Sequence, residues 1–220
     1  MDDKSLGYIP VPKAASSSIR SLFMQYETGN ELLVEKTDHY RRTRRNLKRT
    51  IRHSIHPSQF SKIKENYYLF SFVRNPLTRL FSCYQSIVVE AGTKSTKCAF
   101  QPYGISFGIS FDSFVKEVSG IPDNIANQHF RSASAFLTNG DDLLVDYVGK
   151  LEQFNHDWQI LSDRFNLPFP PKTHRVSHSP VPIQDIQISK NSLNLLMERY
   201  NKDIELFDYR ESLEALLNKK

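Results

Sequence analysis

Long apolar runs are missing from this 220-residue chain. No stretch approaches the ~20 consecutive apolar residues that a membrane-spanning helix needs. Cysteine is scarce: Cys83 and Cys98 are the only two. They are too few for a disulfide framework or a zinc site; two reduced thiols in a cytoplasmic protein are expected, with a single bridge as the alternative. No metal is expected. Internal repeats and low-complexity tracts are absent as well, which excludes solenoids and disordered tails. The opening Met1-Asp2-Asp3-Lys4 is acidic and leads into no apolar stretch, so no secretory signal is expected. What remains is ordinary: 39% hydrophobic and 24% charged residues, the balance of a folded globular chain. The length predicts a single domain over 1–220 with a full core.

Charge is unevenly placed. The net charge is +5, yet Lys36 to Arg52 alone holds eight basic residues and one acid, Asp38; outside it, 21 basic residues face 23 acidic ones. A local positive field of this kind meets an anion or forms a solvated helix face.

The hydrophobic pattern alternates strands with helices. Tyr8 to Val11 reads as a short strand, and Ser17 to Tyr26 as a helix with Ile19, Leu22 and Phe23 at helical spacing. Asp38 to Arg52 can be helical. Tyr67 to Val73 is the clearest buried strand. Asn75-Pro76 then marks a turn, with Pro76 suited to the first position of a helix over Leu77 to Val89. Ala91 to Gly108 reads as loop and Phe111 to Val118 as a short helix. Leu143 to Val148 reads as a strand and Asn155 to Phe165 as a helix. Leu167 to Pro182, with five prolines, is irregular. One long amphipathic helix is expected over Ser189 to Tyr209. This succession predicts an α/β fold with a central, mostly parallel sheet flanked by helices.

Two segments carry chemistry. In the first, a strand leads through Pro12-Lys13-Ala14-Ala15-Ser16-Ser17-Ser18 into a helix. A turn of small residues at a helix start aims several backbone N–H groups at one point, and the helix dipole favours an anion there. Lys13 adds a mobile charge, and the serines add hydroxyl donors. Alone, the segment is equally a serine-capped helix beside an exposed lysine. It is not a Walker loop, because G-x-x-x-x-G-K-(S/T) is absent. In the second segment, Arg74 follows the buried strand, at the strand end where open α/β sheets bind ligands. Ser82 stands two turns into the next helix. An arginine fork and a hydroxyl can hold one phosphate between them. Alone, Arg74 is equally a partner in a local ion pair.

Together, in this order, Pro12 to Ser18 and Val73 to Tyr84 resemble the carbohydrate type of the sulfotransferases that use 3′-phosphoadenosine 5′-phosphosulfate (PAPS). Three further stretches are similar to the same family: Asn127-Gln128-His129-Phe130, Gly149-Lys150-Leu151-Glu152-Gln153-Phe154, and Tyr200 to Tyr209. Ser134 departs from it, standing where a glutamine is expected. The resemblance implies a three-layer fold like that of P-loop NTPases, and PAPS as donor. It implies that Lys13, Ala14, Ala15, Ser16, Ser17 and Ser18 hold the 5′-phosphosulfate, with Lys13 stabilising the bridging oxygen as the nucleotide leaves. Arg74 and Ser82 would grip the 3′-phosphate, and Arg175 and Ser177, in a proline-rich loop, would complete that grip. His129 would lie near the acceptor. The family's animal members carry a membrane anchor that is not seen here, which favours a soluble enzyme of bacterial type.

Transfer to a sugar hydroxyl needs a base, and histidine is the side chain suited to neutral pH. Some members place a catalytic histidine in the interval ahead of the arginine. His53 stands 21 residues before Arg74 and His56 stands 18 before it; His53 is preferred, then His56, with His129 or a carboxylate as the remaining candidates. The basic stretch running up to Arg52 suits an acidic polysaccharide, with Arg52 on the acceptor side. Two other readings stay open: an ATP-dependent kinase of similar architecture, and an RNA-binding protein using the basic stretch, for which no RNA-binding motif is present.

Overall fold

The computed structural model describes residues 5–28, 63–93, 97–170 and 181–218. The expected basic helix over 38–52 and the candidates Arg52, His53, His56, Arg175 and Ser177 lie outside the described residues. Contacts divide the chain into two compact units. Met1–Pro10, Ala15–Phe72 and Leu137–Ser179 form the first; Val11–Ala14, Val73–Phe136 and Pro180–Lys220 form the second.

The first unit carries the sheet. Strands β1 (Leu6–Tyr8), β2 (Tyr68–Val73) and β5 (Tyr147–Lys150) lie in the order β1-β2-β5, forming a parallel sheet flanked by helices. β1 pairs parallel with β2, Leu6 opposite Tyr68 and Tyr8 opposite Phe70. β2 is central and buried on both faces, Leu69 through Val73 all being closed to solvent. That is why it reads as a continuous apolar run and not as an alternating one. Phe70 and Phe72 share one face. Against them pack Ile19 and Leu22 of helix α1 (Ser16–Thr28) and Trp158 and Leu161 of helix α5 (Phe154–Phe165). The rings of Phe70 and Trp158 meet edge-on at 6.0 Å, and the Trp158 indole N–H donates to the Pro168 carbonyl at 3.2 Å. Gly149 is obligatory in β5: a Cβ there would stand 2.4 Å from the Phe72 ring.

The strand expected over Leu143 to Val148 is divided: its first residue ends a hairpin strand and its last two open β5. β3 (Thr138–Asn139) and β4 (Asp142–Leu143) make a small antiparallel hairpin, turned at Gly140 with φ 62°. Before β5 begins, Asp146 joins the sheet through both its backbone and its side chain. Its N–H donates to Leu69 O at 2.7 Å, and its carboxylate accepts the Leu69 N–H at 2.7 Å.

The second unit is helical. α2 (Pro76–Tyr84) starts as expected: the Asn75 side chain accepts from Leu77 N–H at 3.0 Å and Pro76 occupies the first turn. It runs into a π-helical turn, Gln85–Val89. α3 (Phe111–Ser119) packs its Phe111 and Phe114 on Phe81 and Tyr84 of α2. A four-residue helix, α4 (Ser134–Leu137), precedes the hairpin.

The single terminal helix expected over Ser189 to Tyr209 is broken. α6 (Lys190–Arg199), α7 (Asn201–Leu206) and α8 (Arg210–Leu217) are separated at Tyr200, with φ −108°, and at Phe207 to Tyr209, where Asp208 takes φ 55°. Buried tertiary partners impose the first break. Tyr200 Oη donates to Phe130 O at 2.6 Å, and the Asp203 carboxylate accepts N–H from Ala133 at 2.7 Å and Ser134 at 2.8 Å. Among the described residues, no helix is long and apolar enough to cross a membrane.

Candidate active site

The loop after β1 is tightly turned. Residues 12–15 form consecutive turns, Ala14 N–H reaches Val11 O at 3.4 Å, and Lys13 and Ala15 adopt positive φ of 68° and 56°. Left-handed conformations at non-glycine residues cost of order 1–3 kcal/mol each and persist where surrounding structure enforces them. Ser16, Ser17 and Ser18 form the first turn of α1, which holds no acidic residue. The turn thus brings no negative charge of its own to the positive end of the helix dipole, and a helix start of this kind favours an anion. Ser21 Oγ, one turn on, donates to Ser17 O at 3.0 Å.

Within the second unit, Lys13 is seated on the helix that follows Arg74. Its ammonium donates to Ser86 Oγ at 2.7 Å, and Ser86 Oγ in turn donates to Cys83 O at 3.2 Å. Ser86 is four residues beyond Ser82, so both hydroxyls stand on one face of the helix. The Lys13 charge is felt at Cys83 as well. Burial pushes that thiol up to about 12, while Lys13 and Arg79 pull it the other way. Cys83 and Cys98 are both free and buried. A thiol so held stays protonated at neutral pH and is no nucleophile.

Arg74 lies directly after β2, half-buried, with Nε donating to Thr78 Oγ1 at 3.0 Å. Thr78 Oγ1 donates onward to Asn75 O at 3.1 Å. This ladder aligns the guanidinium along the start of α2. β1 and β2 run parallel, so their carboxyl ends, where open α/β sheets bind ligands, lie at the same end of the sheet.

The framework beneath is a buried ion pair. Arg79 (1% exposed) lies 3.9 Å from Asp203 (2% exposed), donates to Arg131 O at 2.7 Å, and stacks 5.5 Å over the Tyr200 ring. The Tyr200-x-x-Asp203 pair thereby anchors residues 130–134.

His129 is half-buried on that anchored segment. Its Nδ1 lies 2.8 Å from Asn127 Oδ1, which also accepts the His129 backbone N–H at 3.1 Å. Burial holds the imidazole below its usual pKa, and the positive charge of Lys13 acts in the same direction. His129 and Lys13 are thus electrostatic neighbours, although far apart in sequence.

Lys13, Ser82 and His129 are accordingly gathered in one unit with Arg74. Ala15, Ser16, Ser17 and Ser18 belong by contact to the other. Residue-type reasoning missed Ser86, Thr78 and the role of Asn127. For Ser86 the signal was present, since it is one helical turn beyond Ser82. For Thr78, four beyond Arg74, it was fainter, because Arg74 precedes the helix.

The family model described as the Sulfotransferase family matches residues 1–210. The chain belongs to the sulfotransferase family. No curated protein and no solved structure matches it. The match covers nearly the whole chain, from before the lysine loop to the first residue of α8. It makes this a member of a PAPS-dependent family of transferases. It favours the sulfuryl-transfer reading of the two segments over the kinase reading.

Proposed function

We propose that this sulfotransferase moves the sulfuryl group of PAPS to a hydroxyl of a carbohydrate, an acidic polysaccharide being the preferred acceptor. The observation that carries the reading is the Lys13–Ser86 hydrogen bond, which seats the loop lysine on the helix bearing Ser82 and following Arg74. Sulfuryl transfer resembles phosphoryl transfer in needing in-line positioning and charge stabilisation more than covalent chemistry from the protein. Lys13 is suited to the bridging oxygen that gains charge as the nucleotide leaves. Ala14 to Ser18 offer backbone and hydroxyl donors to the 5′-phosphosulfate. Arg74 and Ser82 are suited to the 3′-phosphate, with Arg175 and Ser177 as further ligands. Arg52, at the end of the basic stretch, favours an anionic acceptor. The sequence interval ahead of Arg74 nominates His53 and His56 for the base.

A glycan screen with sulfur-labelled PAPS tests the proposal. Labelling of uronate-bearing chains, weakened by added salt, supports it. A neutral glycan labelled in preference, with no salt dependence, would contradict the acidic acceptor. Phosphoryl transfer from labelled ATP, with none from PAPS, would contradict the donor.

A further inference from the structure

The amino ends of the strands border a recess, at the opposite end of the sheet from the strand ends that the Lys13 and Arg74 segments follow. β2 alone spans six residues, about 20 Å at the usual rise per residue. The recess lies wholly within the first unit and has a volume of about 340 Å³, inside the range of about 300–1,000 Å³ that small-ligand sites occupy.

One wall is a cation held on aromatic rings. Arg164, in the last turn of α5, stands 4.1 Å from the centre of the Tyr68 ring and 5.4 Å from that of Phe165, and the two rings meet at 5.2 Å. Among the described residues, no carboxylate pairs with Arg164 and no acceptor takes its N–H groups. Ring contact fixes a guanidinium without consuming its donors, which lie in its plane and match the two oxygens of a carboxylate. Asp146 is placed differently. Its carboxylate accepts the Leu69 N–H at 2.7 Å and lies 3.8 Å from the Lys64 ammonium, which also donates to Leu143 O at 3.3 Å. Asp146 is therefore balanced within the fold, and Arg164 is not.

The lining selects among ligands. Lys64, Arg164, Glu65 and Asp146 all border the recess, with Tyr67, Tyr68 and Phe165. A bare anion such as phosphate gains the two cations but meets the two carboxylates, and it has nothing to lay on the rings. A sugar acid uses every part. Its carboxylate suits Arg164, its hydroxyls donate to carboxylate oxygens and accept from Lys64, and its C–H surface suits the aromatic lining.

We propose that this recess is a second saccharide site, taking a uronate unit of the acceptor polysaccharide away from the point of transfer; this rests on the acidic-acceptor reading above. A chain held in two places gains affinity from the effective concentration of its second contact. A disaccharide is too short to span about 20 Å, so the recess favours long acceptors over short ones.

The test uses the full chain with a uronate disaccharide, the matching neutral disaccharide and inorganic phosphate, followed by NMR of the backbone amides. In wild type the uronate disaccharide should shift the amides of Glu65, Tyr68 and Arg164, and neither of the other two should match it at equal concentration. Arg164 is exposed, so Arg164→Ala should keep the fold and weaken that binding by about tenfold or more. Arg164→Lys, which keeps the charge but loses the fork, should recover only part of it. With sulfur-labelled PAPS, Arg164→Ala should raise KM for a uronate-containing polysaccharide several-fold and leave kcat, and KM for the disaccharide, unchanged. Amides that do not move, phosphate that moves them as strongly, or an equal change in KM for polymer and disaccharide overturns the proposal. The titration needs no turnover, so it judges the recess separately from the acceptor. Uronate binding there in a chain that labels only neutral glycans overturns the acidic-acceptor reading, and with it the role of the recess in transfer.

Discussion

Lys13 Nζ sits 2.7 Å from Ser86 Oγ, joining the loop after the first strand to the helix that follows the second. In that position the ammonium is half-buried and close enough to influence both Cys83 and His129. The two groups differ in consequence. Lys13 is suited to stabilising charge in the transition state, and Ser86 only steers Lys13.

Kinetics separates these roles. Lys13→Ala should lower turnover by about 100- to 1,000-fold, the cost typical of losing one donor to a developing oxyanion. Ser86→Ala removes a single hydrogen bond worth about 0.5–1.5 kcal/mol, so its loss should stay near or below tenfold. Equal losses in the two variants would contradict the division.

Arg74→Ala should weaken binding of adenosine 3′,5′-bisphosphate more than that of adenosine 5′-monophosphate, because the contact proposed for Arg74 is to the 3′-phosphate. Hydrogen bonds to charged groups contribute about 1.5–3 kcal/mol each, so at least a tenfold loss is expected in calorimetry. Equal losses for the two nucleotides would move Arg74 away from that phosphate.

The pH behaviour of His129 has a definite sign. Its folded pKa is lowered, first by burial and then by the Lys13 charge. The neutral form is favoured on folding, so the stabilisation linked to it is complete above the unfolded value of about 6.5 and is lost as pH falls through the folded pKa. Replacing Lys13 by methionine removes the repelling charge. The His129 titration followed by NMR should then shift upward. A downward shift, or none, would show that the two groups are not electrostatic neighbours.

Asp203 holds the Ala133 and Ser134 amides and faces Arg79, all buried. Asp203→Ala leaves Arg79 as an uncompensated buried charge and should cost about 3–5 kcal/mol in denaturant unfolding. A loss under about 1 kcal/mol would mean that Arg79 finds another partner.

Much of the fold was legible in local chemistry, and the failures are instructive. The run from Tyr67 through Pro76 was readable because burial on both faces makes a strand continuously apolar, and because Asn75 and Pro76 carry their own capping signal. The first strand lies at Leu6–Tyr8 and not at Tyr8 to Val11. Ile9 N–H still reaches Phe70 O at 2.9 Å, but Pro10 and Pro12 have no N–H to continue the ladder. The break at Tyr200 was invisible, since apolar spacing continues through it and its causes lie about 70 residues away, at Phe130 and Ser134. For the site, residue types pointed to Lys13 and Arg74. They were silent on which side chain orients each, because Ser86 and Thr78 declare themselves only through distance.

The most direct test of the central claim is transfer of label from sulfur-labelled PAPS to a uronate-containing polysaccharide, run with wild type and Lys13→Ala side by side. The wild type should label the polysaccharide and release adenosine 3′,5′-bisphosphate in equal amount, while the variant should retain at most about one hundredth of that rate. Label that stays on PAPS across every glycan offered, or a Lys13→Ala chain as fast as wild type, would contradict the account.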